Sequence, residues 1–413
     1  MKSSYYNFYK EMDDKIKVMN AVTGKTANLS KRVGTLLQEN NLDEIGEENL
    51  SKLAGIGVVV DDEVDEIHRL EQGFIARHTG KKRWNITLTL TLLCNCDCPY
   101  CFEEKDMDPA HPFIDFEALK KFSEKYLKDA EFVHFGLFGG EPLLAMEKLV
   151  DFFTYFQEFA KENQLTYHSN LVSNGVLLDD NRLKTLVELC HVRSIQITLD
   201  GYKNTHDVTR KLKDGTPTFD RIVANIKNTA RRVPKYKIGL TVRINLEKSS
   251  YEDVEKIFAE FTEDEKKHFF IYFRNIFSSE RYEAEPSECH LDIAYLQKRA
   301  TQLNFKMRMN HPNHPSHCSA DAGETEFYLL PNGTIWKCIN DMNYPQNCIG
   351  KLNEEGILEY NEYANVWEQK SPFEDEECRV CTLLPICWGG CPMIKVKTGK
   401  HHCIYEKTSG VLM

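Results

Sequence analysis

The feature that most constrains the fold is an alternation of strand-like and helix-like hydrophobic patterns between residues 82 and 276. Short apolar runs are followed by longer amphipathic stretches, which predict strands and helices in turn. Strands alternating with helices of this length indicate repeated βα units and a parallel sheet. The predicted strands are Trp84–Leu92, Phe132–Phe138, Leu165–Ser173, Ser194–Asp200, Lys237–Asn245 and Phe269–Asn275, and the predicted helices are Ile114–Lys128, Leu144–Lys161, Asp180–Cys190, Phe219–Arg231 and Tyr251–Phe261.

Six βα units predict an α/β fold with a partial (β/α)6 TIM-like barrel, because a closed barrel has eight units. The first 80 residues read instead as short strands followed by helices, which suggests a small winged-helix-like module. We expect domains at 1–80 (this module), 81–281 (barrel), 282–317 (connector) and 318–413 (a cysteine-rich domain). In the module, the predicted strands are Tyr5–Tyr9, Ile16–Asn20, Lys25–Leu29 and Ile56–Val60, and the predicted helices are Lys31–Glu39, Glu47–Ala54 and Asp61–Arg77.

Composition narrows the class of protein. The 413 residues carry a formal charge of −11, which argues against sequence-independent nucleic-acid binding, because that depends on a surplus of Lys and Arg. The longest apolar stretch, around Ile86–Leu93, is too short to span a bilayer, and the polar N-terminus does not resemble a secretory signal. We therefore expect a cytoplasmic protein with neither a membrane nor a nucleic acid as partner. In a reducing compartment, clustered cysteines indicate metal binding or catalysis rather than disulfides.

The first cysteine group directly follows the first predicted barrel strand, and βα barrels carry their active sites at such strand ends. Cys94, Cys98 and Cys101 have the spacing Cys-x3-Cys-x2-Cys. Three thiolates on one short loop suit an iron–sulfur cluster, and three ligands for four irons leave one iron open to another ligand. A structural zinc site is the alternative, but zinc usually needs a fourth protein ligand, and none is obvious nearby.

The run from Thr91 to Phe102 resembles the signature of radical S-adenosylmethionine (SAM) enzymes. That resemblance implies a [4Fe–4S] cluster held by Cys94, Cys98 and Cys101, with the amino and carboxylate groups of SAM on the fourth iron. Reductive cleavage of SAM then yields a 5′-deoxyadenosyl radical, and an external reductant such as flavodoxin or ferredoxin is implied as a partner. In the family, position 96 is usually aliphatic, so we expect Cys96 to be a bystander.

Further motifs of the same family follow the later strands in the expected order. By resemblance, Gly-Gly-Glu-Pro approaches the methionine part of SAM closely and takes its ammonium group, while Ser-Asn-Gly contacts the ribose. Thr-Leu-Asp-Gly precedes an arginine that would pair with the methionine carboxylate, with a surface salt bridge as the alternative. The fifth strand adds candidates for cofactor or substrate binding. The predicted cofactor-binding residues are Gly139, Gly140, Glu141, Pro142, Ser173, Asn174, Thr198, Arg210, Arg243 and Asn245.

The turn-rich C-terminal segment holds many cysteines, which indicates a fold nucleated by metal. Zinc is the alternative to iron–sulfur clusters, but a single Cys-x2-Cys pair is present. The spacing, with Cys-Trp-Gly-Gly-Cys at 387–391, resembles the SPASM domain. That resemblance implies two auxiliary [4Fe–4S] clusters, one held by Cys318, Cys338 and Cys391, and the other by Cys378, Cys381, Cys387 and Cys403.

The first auxiliary cluster then lacks a fourth ligand. Cys348, Cys289 and an iron left open are the alternatives. An open iron would bind a substrate thiolate, because a coordinating thiol is deprotonated.

The N-terminal module at residues 1–80 indicates the class of substrate. It resembles the winged-helix-like element with which enzymes that modify ribosomally made peptides (RiPPs) capture a leader peptide, by strand addition at Tyr5–Tyr9 or Lys25–Leu29. A cap that only stabilises the barrel is the alternative. We expect a radical SAM/SPASM peptide maturase that abstracts hydrogen from a precursor peptide and forms an intramolecular crosslink, a thioether from Cys sulfur to carbon. A carbon–carbon or ether crosslink, epimerisation, sulfatase-maturase-like oxidation and a non-catalytic metal scaffold stay open.

Overall fold

The computed structural model describes residues 1–80, 82–101, 110–246, 249–275, 291–307, 318, 323–342, 344–367, 371–400 and 403. The chain divides into two compact units. The first unit comprises Met1–Gly80, Asn310–Gly323 and Asn365–Met413, and the second comprises Lys81–Met309 and Glu324–Ala364. Within the described residues, no helix combines the length and apolarity needed to cross a membrane.

The N-terminal part of the first unit contains two small antiparallel sheets and three helices. One sheet pairs the first strand with the fifth, and the other joins the second, third and fourth strands in that order. The elements are β1 (Lys2–Ser3), β2 (Asn7–Glu11), β3 (Lys15–Asn20), β4 (Thr26–Ser30), α1 (Lys31–Gln38), α2 (Glu47–Ala54), β5 (Val59–Val60) and α3 (Glu66–Thr79).

These elements form because the buried residues of β3 and the helices share one apolar core. Val18, in the middle strand of the sheet, is fully buried and packs in a cluster with Leu37, Leu53 and Val58. The hydroxyl of Ser30 accepts the N–H of Val33 and so begins α1, where N-cap hydroxyls stabilise the first turn. Strands and helices therefore lie near their predicted positions, while the winged-helix comparison stays a prediction.

The second unit is an α/β structure. Its strands are β6 (Arg83–Thr89), β7 (Phe132–Phe138), β8 (Thr166–Ser173), β9 (Val192–Leu199), β10 (Gly239–Asn245), β11 (Phe270–Arg274), β12 (Lys306–Met307), β13 (Glu326–Leu329), β14 (Thr334–Trp336), β15 (Gly350–Leu352) and β16 (Leu358–Tyr360). Its helices are α4 (Phe116–Tyr126), α5 (Met146–Glu162), α6 (Asp180–Glu188), α7 (Lys203–Thr209), α8 (Phe219–Tyr236), α9 (Tyr251–Ala259), α10 (Glu263–Lys266) and α11 (Ile293–Gln302).

All of these strands belong to one sheet. Its order is β12-β11-β10-β9-β8-β7-β6-β13-β14-β15-β16, and β6 to β11 are the six predicted strands in sequential, parallel arrangement. The prediction of an α/β fold with a large parallel sheet is therefore confirmed. The sheet is also longer than predicted, because β12 and β13 add a parallel strand at each end and β14 to β16 continue it antiparallel.

The two faces of the parallel sheet differ in chemistry. On one face, Phe135 is fully buried, and its ring lies 5.0 Å from that of Phe156 on α5. On the opposite face, His134 and Asn170 are joined by a hydrogen bond of 2.7 Å between Nε2 and Oδ1. Successive residues of a strand point to opposite faces, so the helices cover the apolar face and polar side chains line the other.

The C-terminal segment of the first unit comprises α12 (Glu376–Arg379), α13 (Leu384–Cys387) and α14 (Pro392–Thr398). These short helices share an apolar core with the N-terminal elements of the same unit. The ring of Phe74 in α3 stacks on Trp388 with 6.0 Å between centroids, and the Tyr5 hydroxyl donates to the carbonyl of Val380 at 2.7 Å. The N-terminal elements and residues 371–400 therefore belong to one compact unit.

Candidate functional site

The loop that carries Cys94 follows β6 and is fastened to the loop that follows β7. The N–H of Gly140 donates to the Thr91 carbonyl at 2.9 Å, and that of Glu141 donates to the Leu93 carbonyl at 2.8 Å. A Cβ at Gly139, whose φ is +124°, would lie 2.3 Å from the Thr91 oxygen, and one at Gly140 would lie 2.4 Å from the Leu93 oxygen. No side chain fits such gaps, so the paired glycines are required by this backbone contact.

The other side of the cysteine loop is held by residues beyond α7. The N–H of Asp97 donates to the Lys211 carbonyl, and that of Lys213 donates to the Asn95 carbonyl, both at 3.0 Å. Cys96 thereby forms an antiparallel bridge with Leu212. The loop is fixed by main-chain bonds on both sides, which orders its thiols before any ligand binds.

The thiols of this loop differ in burial and acidity. Cys98 is buried and Cys101 exposed. The hydrogen bond from Cys96 lowers the pKa of the Cys94 thiol to about 6, against the opposing effect of burial. The bond to Cys94 and burial both raise the pKa of Cys96 well above the usual range. The thiolate is the metal-binding form, which Cys94 favours, whereas burial raises the pKa of Cys98 to about 11, so thiol acidity does not by itself separate the predicted ligands from Cys96.

The predicted donor set of the cysteine loop consists of three thiols. Among the described residues, no group of three His, Cys, Asp or Glu side chains is arranged to hold one metal ion. A zinc ion would need its thiolates about 2.3 Å from a common point, whereas each thiolate of a four-iron cluster binds its own iron. The three thiols of Cys94, Cys98 and Cys101 on one loop match the donor set of the predicted cluster, and their assignment as its ligands stays a prediction.

Glu141 links the ends of two strands from a fully buried position. Its carboxylate accepts the N–H groups of Leu143 at 3.0 Å and Asn174 at 2.8 Å, and the Ser173 hydroxyl at 2.9 and 3.1 Å. Burial raises its pKa to about 7, although these N–H groups oppose the shift. The structure thus brings together three predicted site residues, Glu141, Ser173 and Asn174.

Asn174 connects this group to the cysteine loop. Its Nδ2 donates to Asn95 Oδ1 at 2.7 Å and lies 3.7 Å from Cys94 Sγ. The Glu141 carboxylate, the Ser173 hydroxyl and the Asn174 amide therefore support the cysteine loop together.

Arg210 lies in a buried ion pair. Its Nε donates to Asp200 Oδ2 at 3.1 Å, with side-chain exposures of 11% and 4%, and its Nη2 donates to the Tyr100 hydroxyl at 2.6 Å. The Tyr100 hydroxyl donates in turn to Asp200. Burial by itself would raise the pKa of Asp200, but the Arg210 guanidinium outweighs it and holds that pKa below its usual range. The salt bridge foreseen as an alternative for Arg210 exists, but in the interior rather than at the surface.

A buried histidine supports this pair. Nδ1 of His206 accepts the Asp200 N–H at 3.1 Å, so its Nε2 carries the proton and donates to Thr218 Oγ1 at 3.1 Å. Burial lowers the pKa of His206 to about 4, which keeps the ring neutral. The Thr218 hydroxyl then donates to the carbonyl of Arg210, and the chain of bonds closes on the arginine.

The predicted residues of the fourth and fifth strands extend the network. Asn245 Nδ2 donates to Asp200 Oδ1 at 2.7 Å, and Arg243 Nε donates to Asn245 Oδ1 at 2.8 Å. Thr198 lies beside Arg243 in the register of β9 and β10. Asp200 and Tyr100, the centre of the network, were absent from the predicted site, although both stand in the quoted motifs, Asp200 at a strand end and Tyr100 between two ligands.

The C-terminal cysteines are divided between the two compact units. Cys348, in the second unit, donates its thiol to the Gly350 carbonyl at 3.1 Å, and Cys289 lies outside the described residues. The assignment of Cys318, Cys338 and Cys391 to one cluster stays a prediction. In the first unit, one cavity of about 480 Å³ is lined by Cys378, Cys381, Cys387 and Cys403.

Comparison with known proteins agrees with this geometry. Residues 88–261 match the family model of the Radical SAM superfamily, a range that includes the cysteine loop, Glu141 and Arg210. The cysteine-type anaerobic sulfatase-maturating enzyme of Clostridium perfringens (strain 13 / Type A) is 24% identical over 335 residues, which are 71% of this chain and 84% of that protein.

Two groups of solved structures share the fold. The structure of native anSMEcpe with bound AdoMet has a TM-score of 0.54 at 19% identity, over 75% of this chain and 89% of that one. The structure of Streptococcus suis SuiB bound to the precursor peptide SuiA has a TM-score of 0.51 at 15% identity, over 97% of this chain and 98% of that one. At these identities the likeness establishes a shared fold.

Proposed function

Because this chain is an enzyme that carries a radical SAM domain, we propose that it matures a ribosomally made precursor peptide. The observation that carries the proposal is the three-stranded sheet ahead of that domain, because a sheet edge accepts an extended peptide as an added strand. SuiB, whose structure holds the precursor peptide SuiA, has a similar fold over 97% of this chain, which supports precursor-peptide binding here.

Within that sheet, we assign peptide docking to β4. Both β2 and β4 are edge strands. The Asn7 side chain at one end of β2 is already engaged within the same unit, since its Nδ2 donates to the Val58 carbonyl at 2.7 Å. β4 alternates exposed and half-buried residues from Thr26 to Ser30, and such an exposed edge offers unpaired N–H and C=O groups.

The cofactors we propose are SAM and a [4Fe–4S] cluster on Cys94, Cys98 and Cys101. When bound, they supply reductive cleavage of SAM and abstraction of a hydrogen atom from the substrate. Within the described residues, Nη1 of Arg210 has no hydrogen-bond partner, and we assign it to the SAM carboxylate. The predicted ammonium contact of Glu141 competes with its bonds to Ser173, Asn174 and Leu143, so we assign Glu141 to positioning the loop.

We propose the cavity lined by four cysteines as the second auxiliary [4Fe–4S] site. Its residues are Cys378, Cys381, Cys387 and Cys403. For the first auxiliary cluster, on Cys318, Cys338 and Cys391, we propose an open position rather than Cys348, whose thiol is already hydrogen-bonded to Gly350. Electrons would come from an external reductant such as flavodoxin or ferredoxin.

The product we propose is an intramolecular thioether between a cysteine sulfur and a carbon of the core peptide. The new bond removes one hydrogen from the thiol and one from the carbon. The second candidate is oxidation of a sulfatase residue, favoured by the similarity to the Clostridium perfringens sulfatase-maturating enzyme. The two candidate functions differ in their substrate, which is a short precursor peptide for thioether formation and a sulfatase for the oxidation.

The test is SAM cleavage by the anaerobically reconstituted enzyme. We expect 5′-deoxyadenosine from the wild type and none from Cys94→Ala, Cys98→Ala or Cys101→Ala. Cys190→Ala is the matched control, because Cys190 is fully buried just beyond the end of α6, away from the ligand loop. A wild type without 5′-deoxyadenosine, holding zinc instead of about 12 irons per chain, would mean a metal scaffold.

A further inference from the structure

Arg243 carries a positive charge that no carboxylate of the described residues balances. It points from β10 to the polar face of the sheet, and its single hydrogen bond there joins Nε to Asn245 Oδ1 at 2.8 Å. The partner is a neutral amide, and both Nη groups lack a partner among the described residues. Burying an unpaired charge is costly, and proteins normally pair such a group.

The carboxylate that Arg243 reaches through Asn245 belongs to Asp200, and it already pairs with another arginine. Asp200 pairs with Arg210 at 3.1 Å and accepts from Asn245 at 2.7 Å, so the two charges of that ion pair cancel. Arg243 is joined to this pair through Asn245 alone. Burial and the neighbouring Arg274 lower the pKa of Arg243.

The position of Arg243 is next to the cofactor site and separate from it. Arg210 donates to the Tyr100 hydroxyl at 2.6 Å, and Tyr100 stands between Cys98 and Cys101, which places Arg210 beside the cysteine loop. Arg243 lies one strand further along, between Thr198 on β9 and Tyr272 on β11 in the sheet register. A group bound there sits on the polar face of the sheet, where a substrate entering the barrel from its strand ends would lie.

We propose that Arg243 is a substrate-binding residue that receives a carboxylate of the core peptide, from an Asp or Glu side chain near the reacting residue. This inference rests on the proposed function and narrows its substrate class to acidic core peptides. The planar guanidinium offers two parallel N–H donors, which match a carboxylate in geometry as well as in charge.

The test uses two short blocked peptides that differ at one position, glutamate in one and glutamine in the other, with the reconstituted enzyme in the presence of SAM. A charged hydrogen bond of this kind is worth a preference of about 10- to 100-fold. We expect the wild type to bind the glutamate peptide more tightly by that factor and Arg243→Gln to bind both peptides equally. Arg243→Lys should restore part of the preference, because it restores the charge without the paired donors.

Arg231→Gln is the matched control, since Arg231 is already paired with Glu265 at 2.8 Å outside this face, and it should keep the wild-type preference. Equal binding of the two peptides by the wild type, or no binding of the glutamate peptide, overturns the inference. So does an Arg243→Gln variant that loses affinity for SAM and keeps the peptide preference. These failures differ from that of the proposed function, which shows as absent 5′-deoxyadenosine in the wild type.

Discussion

At the scale of single residues, Glu141 is the carboxylate whose protonation the fold controls most directly. Burial raises its pKa to about 7, so the folded chain holds a proton that the unfolded chain releases at lower pH. Its contribution to stability is therefore full below the ordinary glutamate pKa and falls as pH rises through 7.

We expect Glu141→Gln to lower the free energy of unfolding by about 1–3 kcal/mol, because one of the N–H groups of Leu143 and Asn174 would face an amide donor. This penalty should be largest near pH 5 and shrink as pH rises through 7, measured by denaturant unfolding. Glu147→Gln, at an exposed position of α5, should show neither effect. A penalty that grows with pH would contradict the raised pKa.

The buried ion pair of Arg210 and Asp200 can be compared with an exposed ion pair at the surface, that of Arg232 and Asp180. Asp200→Asn leaves a buried guanidinium without its counter-charge, and breaking a buried pair costs about 3–5 kcal/mol. Asp180→Asn removes the pair with Arg232, whose side chains are 52% and 48% exposed, and should cost less than about 1 kcal/mol. Denaturant unfolding measures both, and equal costs would refute the buried role of Asp200.

Sequence motifs predicted the ligand residues of this site but not the hydrogen bonds that join them. The spacing of Cys94, Cys98 and Cys101 indicated a metal loop, and Glu141, Ser173 and Asn174 are indeed brought together. The expected approach of the glycines to a ligand stays a prediction, and the sequence did not indicate their close contact with the backbone of Thr91 and Leu93. Contacts between residues about 100 positions apart, such as Tyr100 with Asp200, leave no pattern in the sequence.

At the scale of secondary structure, peptide docking at the edge strand β4 can be tested without a mutation. When a precursor peptide adds to β4, the free N–H groups of that strand become hydrogen-bonded and exchange more slowly. We expect hydrogen exchange to slow at Thr26–Ser30 and to stay unchanged at Asn7–Glu11. Protection of β2 instead of β4 would move the docking site, and protection of neither would remove it.

The long elements of the α/β unit were predictable and the short ones were not. Phe132–Phe138 is a strand with the predicted bounds, because its apolar alternation runs over seven residues. β12 to β16 have between two and four residues each, too few to show a period, so the extension of the sheet into the cysteine-rich region went unpredicted. Their position depends on pairing with strands such as β6, which is distant in sequence.

At the scale of the whole molecule, the first unit joins the N-terminal elements to the C-terminal cysteines in one apolar core. Phe74 of α3 packs on Phe373 and Trp388, and Cys378, Cys381 and Cys387 border the same core. The predicted domain division treats residues 1–80 and 318–413 as separate, and it stays a prediction, but the compact first unit contains parts of both. Their shared core means that damage on the N-terminal side should reach the cysteine cavity.

We therefore expect Phe74→Ala to cost about 3–5 kcal/mol of stability, as truncation of a buried phenylalanine does, and also to lower the iron content of the reconstituted protein by up to about four atoms per chain. Phe159→Ala is the matched control, since Phe159 is similarly buried but lies in the second unit. Iron analysis and denaturant unfolding measure the two effects. Equal iron in both variants would show that the shared core does not support the cavity.

The central proposal is that this enzyme, whose residues 88–261 match the Radical SAM superfamily, crosslinks a precursor peptide. The most direct test is mass spectrometry of a precursor peptide co-expressed with the enzyme. We predict a peptide lighter by two hydrogen atoms, with its cysteine blocked to alkylation, in the presence of wild-type enzyme or Cys190→Ala but not of Cys94→Ala. A peptide of unchanged mass with a freely alkylated cysteine, beside an enzyme that does form 5′-deoxyadenosine, would contradict it.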